Sequence, residues 1–173
     1  MEDPAPPAPL RPARRDVDPT SWASSAAVRR VMQANRSRDT APELAVRRLV
    51  HARGLRYRVA ARPEPALRRT ADLVFRAARV AVFIDGCFWH GCPDHCTHPR
   101  TNDVYWATKI EGNIARDVDT TAQLQAAGWT VLRFWQHESP HHVADAVEEA
   151  VRTARAARLR PTTDVTRADT MDP

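Results

Sequence analysis

The sequence predicts an α/β fold, a small mixed β-sheet flanked by helices. Three observations carry this. Apolar runs of strand length occur at Ala71–Phe75, Arg79–Ile84 and Trp129–Trp135. Two segments repeat apolar residues at close to four-residue spacing, Trp106-Ile110-Ile114-Val118 and Val143-Val147-Val151. Helix start and stop signals punctuate the chain between them. The predicted order is α-α-β-β-β-α-β-α.

The elements follow in chain order. Residues 1–20 hold six of the 14 prolines and little apolar material, so they are expected to be disordered. A short helix is expected over Ser24–Asn35. A second begins at Thr40, which with Glu43 makes a T-x-x-E capping box, and stops at Gly54. A short strand is expected at Arg56–Val59, followed by a proline-containing loop at Arg62–Pro65. Ala71–Phe75 and Arg79–Ile84 read as a hairpin joined by a tight turn at Arg76–Ala78. A loop from Gly86 to about Asp103 precedes a long helix, Val104–Ala127, which Gly128 ends. Trp129–Trp135 reads as a buried strand. Ser139-Pro140 opens the last helix, where proline at the first position is favoured. Residues 159–173 are expected to form a disordered tail. One domain over 21–158 suits a chain of 173 residues.

The chain carries a net charge of +5, and 26 of its residues are Lys or Arg. Lys109 is the sole lysine. Arginine suits phosphate recognition, although a composition biased toward arginine and alanine gives the same total. No apolar run approaches the roughly 18 residues of a membrane span, and the acidic, Pro-rich start is not expected to act as a secretory signal. Three cysteines, an odd and clustered set, fit a reducing cytoplasm better than a disulfide framework.

The densest chemistry lies at Asp85–Cys96, D-G-C-F-W-H-G-C-P-D-H-C. Cys87, Cys92 and His95 have the spacing of a zinc site. A closed structural site needs a fourth ligand, and Cys96 and His137 are the candidates. Cys96 adjoins His95, which disfavours joint ligation. His137 follows a strand that can deliver it beside Asp85. His98, His141 and His142 read as ordinary exposed residues. Phe88 and Trp89, adjacent aromatics in a metal-stapled loop, read as groups the loop presents.

Asp72 lies inside an apolar strand, where aspartate is depleted. Asp85 ends the neighbouring strand. Two acids at such positions can share Mg²⁺, a cation that wants oxygen ligands and keeps several waters. Glu43 can add a water-mediated ligand beside its capping role. His90 is then a candidate general base, general acid or phosphate donor.

These residues resemble the very-short-patch-repair (Vsr) endonuclease family. The likeness rests on F-I-D-G-C-F-W-H-G-C, the upstream Asp72 and the downstream W-Q-H. It extends to R-S-R-D-T before Glu43, Tyr105-Trp106 with Lys109-Ile110, and Gly128-Trp129. It covers about Ala26 to Ser139. The resemblance implies the restriction-endonuclease-like fold with a structural zinc site. It implies Mg²⁺-dependent nicking of one strand of double-stranded DNA beside a T:G mismatch left by 5-methylcytosine deamination.

Residue by residue, Asp72 matches the family's direct Mg²⁺ ligand and the Ile84 backbone carbonyl a second. Glu43 and His90 match residues that hold metal-bound waters and assist attack. Cys87, Cys92, His95 and His137 match the structural Zn²⁺ set. Phe88 and Trp89 match aromatics that wedge into the DNA beside the mismatch, and Met32 one that intercalates from the opposite groove. Asp85 stands where some members have histidine, so its role is open between metal shell and phosphate contact. Cys96 is extra, and no lysine fills the usual third position of a restriction-type site, which leaves that work to His90. The resemblance also implies a monomer in the bacterial cytoplasm, associated with the nucleoid and linked in function to a cytosine-5 DNA methyltransferase. Two other readings stand beside it: a restriction-type endonuclease on unmodified duplex, and a non-catalytic zinc-stabilised DNA-binding module.

Overall fold

The computed structural model describes residues 38–95 and 103–159. The expected helix at 24–35 with Met32, the N-terminal tail, residues 160–173 of the expected C-terminal tail, and Cys96 and His98 lie outside the described residues, while Leu159 still belongs to the last helix. Three helices and four strands follow in the order α1 (Ala41–Ala52), β1 (Arg58–Ala61), β2 (Ala71–Phe75), β3 (Val80–Asp85), α2 (Asp103–Ala126), β4 (Thr130–Trp135) and α3 (Pro140–Leu159). The strands form one mixed sheet in the order β1-β2-β3-β4. The first two pairings are antiparallel and β3–β4 is parallel.

Alternation along the strands builds two cores. Leu73, Phe75, Val80 and Val82 meet Val46 and Val50 of α1 and Val143, Val147 and Val151 of α3. Ala81, Val74 and Phe83 point the other way and meet Leu124 of α2 with Trp129. The period of two thus sorts one sheet between two helical layers, each burying side chains worth about 1.5–3 kcal/mol apiece. At the end of the sheet where β3 begins, Glu64 of the proline loop ties the layers together. Its Oε1 accepts from Arg79 Nη2 at 2.9 Å and Trp129 Nε1 at 2.6 Å.

Several expectations are corrected. The first strand is Arg58–Ala61 and not Arg56–Val59. Tyr57 turns inward against Phe75 and its hydroxyl donates to the Arg47 carbonyl, so pairing starts at Arg58. Arg79 belongs to the hairpin turn, with φ 53°, and β3 extends through Asp85. The capping box is rearranged. Thr40 makes no side-chain cap, and its Oγ1 donates to Glu43 Oε1 at 3.0 Å while Asp39 N–H donates to Oε2. Pro42, without an N–H, removes one donor that a cap would satisfy.

The last strand is not buried. Thr130 is exposed and the rest of β4 is half-buried, because among the described residues it pairs only with β3. In the long helix Trp106 and Ile110 are buried, but Ile114 and Val118 are 40% and 66% exposed. Each four-residue step overshoots a helical turn by about 40°, so the row drifts off the core. Thr120 and Leu124 take its place. Among the described residues no helix is long and apolar enough to cross a membrane.

Candidate active site and metal centres

The chemistry-bearing residues collect where β3 and β4 both end. The parallel register pairs Asp85 with Trp135. Gln136 N–H then bonds the Asp85 carbonyl at 2.9 Å, so the two chains leave the sheet side by side. Two residues further along each lie Cys87 and His137, with Sγ 3.1 Å from Nδ1. Cys92 Sγ lies 3.7 Å from His95 Nδ1 and 3.8 Å from His137 Nδ1. All four ligand atoms are within 4.8 Å of one another. Ligand atoms around a tetrahedral zinc with these donors stand about 3.6 Å apart. The donor set and spacing fit such an ion. Burial, with Cys92 beside it, pushes the Cys87 thiol up, a cost that ligation by a cation removes.

Asp72 interrupts β2. The β2–β3 ladder runs through Leu73↔Val82 and stops there. Beyond it Ile84 N–H donates to Asp72 Oδ2 at 2.7 Å, so a side chain replaces the next backbone rung. Opposite, Ala60 in β1 has φ 45°, a left-handed conformation disfavoured for alanine. Burial is the main cause that raises the Asp72 carboxyl to about 6; the Ile84 bond opposes it, and the charges of Glu43 and Asp85 add to it. Negative charge thus converges on a half-buried carboxylate. A hard divalent cation relieves that imbalance, so these residues fit Mg²⁺.

Glu43 faces the same region from α1. It is 4% exposed, and Arg47 Nη2 reaches its Oε2 at 2.7 Å. Arg47 also bonds Asp39 Oδ1 at 2.5 Å. The spacing of Glu43 and Arg47, four apart on a helix, was the available signal for this pair.

On the α2 face of the sheet a second group forms. His90 Nδ1 lies 2.5 Å from Asp117 Oδ2 and 3.7 Å from Asp85 Oδ1. A carboxylate only accepts, so the Asp117 contact assigns the proton to Nδ1 and leaves the Nε2 lone pair free. Arg133 bonds Asp85 through Nε at 2.8 Å and Nη2 at 2.7 Å. The side chains of Asp85, His90 and Asp117 are also spaced closely enough to hold a metal ion, but Arg133 already pairs both acids. These residues line one side of a cleft of about 560 Å³ between α2 and β4, with Ile114, Val118 and Phe134 on its walls.

Phe88 and Trp89 are half-buried and lean on each other, with ring centroids 5.1 Å apart. Beneath them lies Trp106 of α2, 5% exposed, 5.3 Å from Phe88 and 5.9 Å from Trp89. Asn113 Nδ2 donates to the Trp89 carbonyl at 2.7 Å and fixes the loop to the same helix. Edge-to-face contact of this kind adds about 0.5–1.5 kcal/mol beyond area burial.

The structure therefore brings Asp85 and His90 into one cluster and Cys87, Cys92, His95 and His137 into another. Asp72, Ile84 and Glu43 lie on the adjoining strands and helix. Sequence reading missed Arg47, Asn113, Asp117 and Arg133. For Arg133 a signal existed, a charge inside the apolar strand W-T-V-L-R-F-W, the anomaly that singled out Asp72. For Asn113 and Asp117 there was none, since polar residues are ordinary on a long helix.

An acid set into a broken ladder, a carboxylate-held histidine and an aromatic platform stand close together at one end of the sheet, and comparison with known proteins gives the class of the chain. Residues 23–98 match the family described as DNA mismatch endonuclease Vsr. The chain is 47% identical over 126 residues to the type II nicking enzyme V.NaeI of Lentzea aerocolonigenes, covering 72% of this chain and 74% of that protein. It is 39% identical over 129 residues to the type II nicking enzyme V.NmeDIP of Neisseria meningitidis serogroup C, covering 72% and 85%. To the DNA mismatch endonuclease Vsr of Escherichia coli K12 it is 36% identical over 108 residues, covering 61% and 66%. The chain belongs to the Vsr family and is a DNA endonuclease. A non-catalytic binding module is thereby set aside.

Proposed function

We propose that this endonuclease nicks one strand of duplex DNA next to a T:G mismatch, with Mg²⁺ at Asp72 and a structural Zn²⁺ at Cys87, Cys92, His95 and His137. The observation that carries the reading is the placement of Asp72 beside Ile84 in a broken ladder, with His90 and the Phe88–Trp89 pair on the loop that follows the same strand. The restriction-endonuclease-like reading of the fold rests on the same arrangement.

Asp72 and the Ile84 carbonyl would hold the Mg²⁺, and Glu43 would orient a water. When bound, the ion supplies charge neutralisation on the phosphate and a more acidic water. His90, with Nδ1 tied to Asp117, presents Nε2 as the acceptor for the proton of the attacking water. Phe88 and Trp89 would wedge into the stack at the mismatch, where unstacking costs least, and Met32 would enter from the other groove. Cys87, Cys92, His95 and His137 would hold a Zn²⁺ that keeps the wedge loop rigid, since a loop rich in Gly, Pro and His has little core of its own. A single nick requires one active site, which supports a monomer. A T:G mismatch from 5-methylcytosine supports a functional link to a cytosine-5 methyltransferase and a place of work at the bacterial nucleoid.

The test is a strand-resolved cleavage assay on matched and T:G duplexes, with and without Mg²⁺. The reading expects cleavage of one strand of the T:G duplex alone, dependent on Mg²⁺. Equal cleavage of both strands of a matched duplex would establish the restriction-type alternative instead.

A further inference from the structure

Asp85 and Asp117 approach the same imidazole from two elements, Asp85 at the end of β3 and Asp117 on α2. Two carboxylates so close repel unless a cation lies between them. Arg133 supplies it. Its strand position faces Phe83, and its guanidinium lies 4.7 Å from the centroid of that ring. The planar fork takes both oxygens of Asp85, and Nη2 continues to Asp117 Oδ1 at 2.9 Å. Asp117 then uses its other oxygen on His90. The side chain is 21% exposed, so these contacts form largely away from water.

We propose that Arg133 is a positioning residue: its guanidinium locks Asp85 and Asp117 so that the His90 imidazole is held in one tautomer and one orientation. The proposal rests on the reading of His90 as the proton acceptor. It also gives Asp85 a role that needs neither metal nor phosphate, as the anchor that aims Arg133. Only arginine has the donors and the planar geometry to serve two carboxylates at once. A lysine keeps the charge but grips as a point, and methionine keeps the stem alone.

The experiment records ¹⁵N–¹H correlation spectra of the histidine rings in the full, zinc-loaded chain, with His90 assigned through His90→Gln. Wild-type His90 is expected as a single Nδ1–H tautomer. In Arg133→Met its two ring-nitrogen shifts should converge toward tautomer-averaged values, with Arg133→Lys between the two. The single-turnover nicking rate of Arg133→Met should fall about 100-fold, the scale expected of a misaimed catalytic group. Zinc content and T:G duplex affinity should stay within about twofold, which a general loss of structure would not allow. Unchanged His90 shifts in the lysine and methionine variants overturn the proposal, and if Arg133→Met does not fold the lysine variant decides alone. A wild type that nicks no duplex defeats the functional reading, while the spectra still decide the part played by Arg133.

Discussion

Asp72 accepts a hydrogen bond from the backbone N–H of Ile84 at the point where β2 and β3 stop pairing. One side chain thus closes the ladder and places a half-buried carboxylate next to the Ile84 peptide. Its carboxyl is raised from 3.8 to about 6, first by burial. Between these values the folded chain binds more protons than the unfolded one, so stability falls as pH rises through this window.

Asp72→Asn should therefore stabilise the metal-free protein above pH 6, by about 3 kcal/mol at most for a shift of this size. The advantage should vanish only below about pH 3, under both values, where Asp72 is protonated folded and unfolded alike. Urea unfolding of both proteins at about pH 3 and pH 7.5 checks this. The same variant should nick at under a tenth of the wild-type rate, because an amide gives up the charge that would hold Mg²⁺ in the proposed function.

Divalent binding at this site should be linked to protons. The ion requires ionised Asp72, so its affinity should fall about tenfold per unit below pH 6. Calorimetry with Mn²⁺ in buffers of different ionisation heat should find about one proton released at pH 5 and almost none at pH 7.5. Equal release at both values would detach the ion from Asp72.

Cys87→Ser should lose zinc and much of the stability, since the binding energy of a structural site is part of the folding energy. Metal analysis of the wild type should give about one zinc per chain. His137→Ala tests the fourth ligand separately, and a normal zinc content there would move that role to another residue.

Trp89→Ala and Phe88→Ala should weaken T:G duplex binding by roughly tenfold, in line with about 1–3 kcal/mol per stacked base. Zinc content should not change. Both rings are half-buried over Trp106, so some loss of melting temperature is expected as well. A large stability loss with an unaltered T:G preference would show that they are packing residues only.

Gly91→Ala should destabilise the fold by about 1–2 kcal/mol, the cost of a left-handed conformation in an L-residue. Gly91 has φ +67°, and an added Cβ would meet Ile114 Cδ1 at 2.8 Å. Combining it with Ile114→Ala should relieve the 2.8 Å clash and leave the backbone part, with Ile110 Cγ2 still 3.2 Å from the added Cβ. Thermal melts of the two variants separate them.

The kinds of element and their order over residues 38–95 and 103–159 were legible in local pattern, with ends displaced by one or two positions. The sequence also singled out residue types suited to chemistry. An acid inside Ala71–Phe75 and a Cys/His cluster after Val80–Ile84 are anomalies of local pattern, and local pattern is what a sequence displays. Beyond the expected approach of His137 to the end of β3, which of these groups meet follows from how the elements pack. The β3–β4 register carries Asp85↔Trp135 forward to Cys87 and His137, two contacts read from pairing and not from composition. The rotation of α2 brings Asp117 to His90 and turns Val118 away. Arg133, 48 residues from Asp85, completes the group across two strands. Periodicity reports which face of one element is buried. It holds no information on the angle or register at which two elements pack, and those quantities place Asp85, His90, Asp117 and Arg133 within one network.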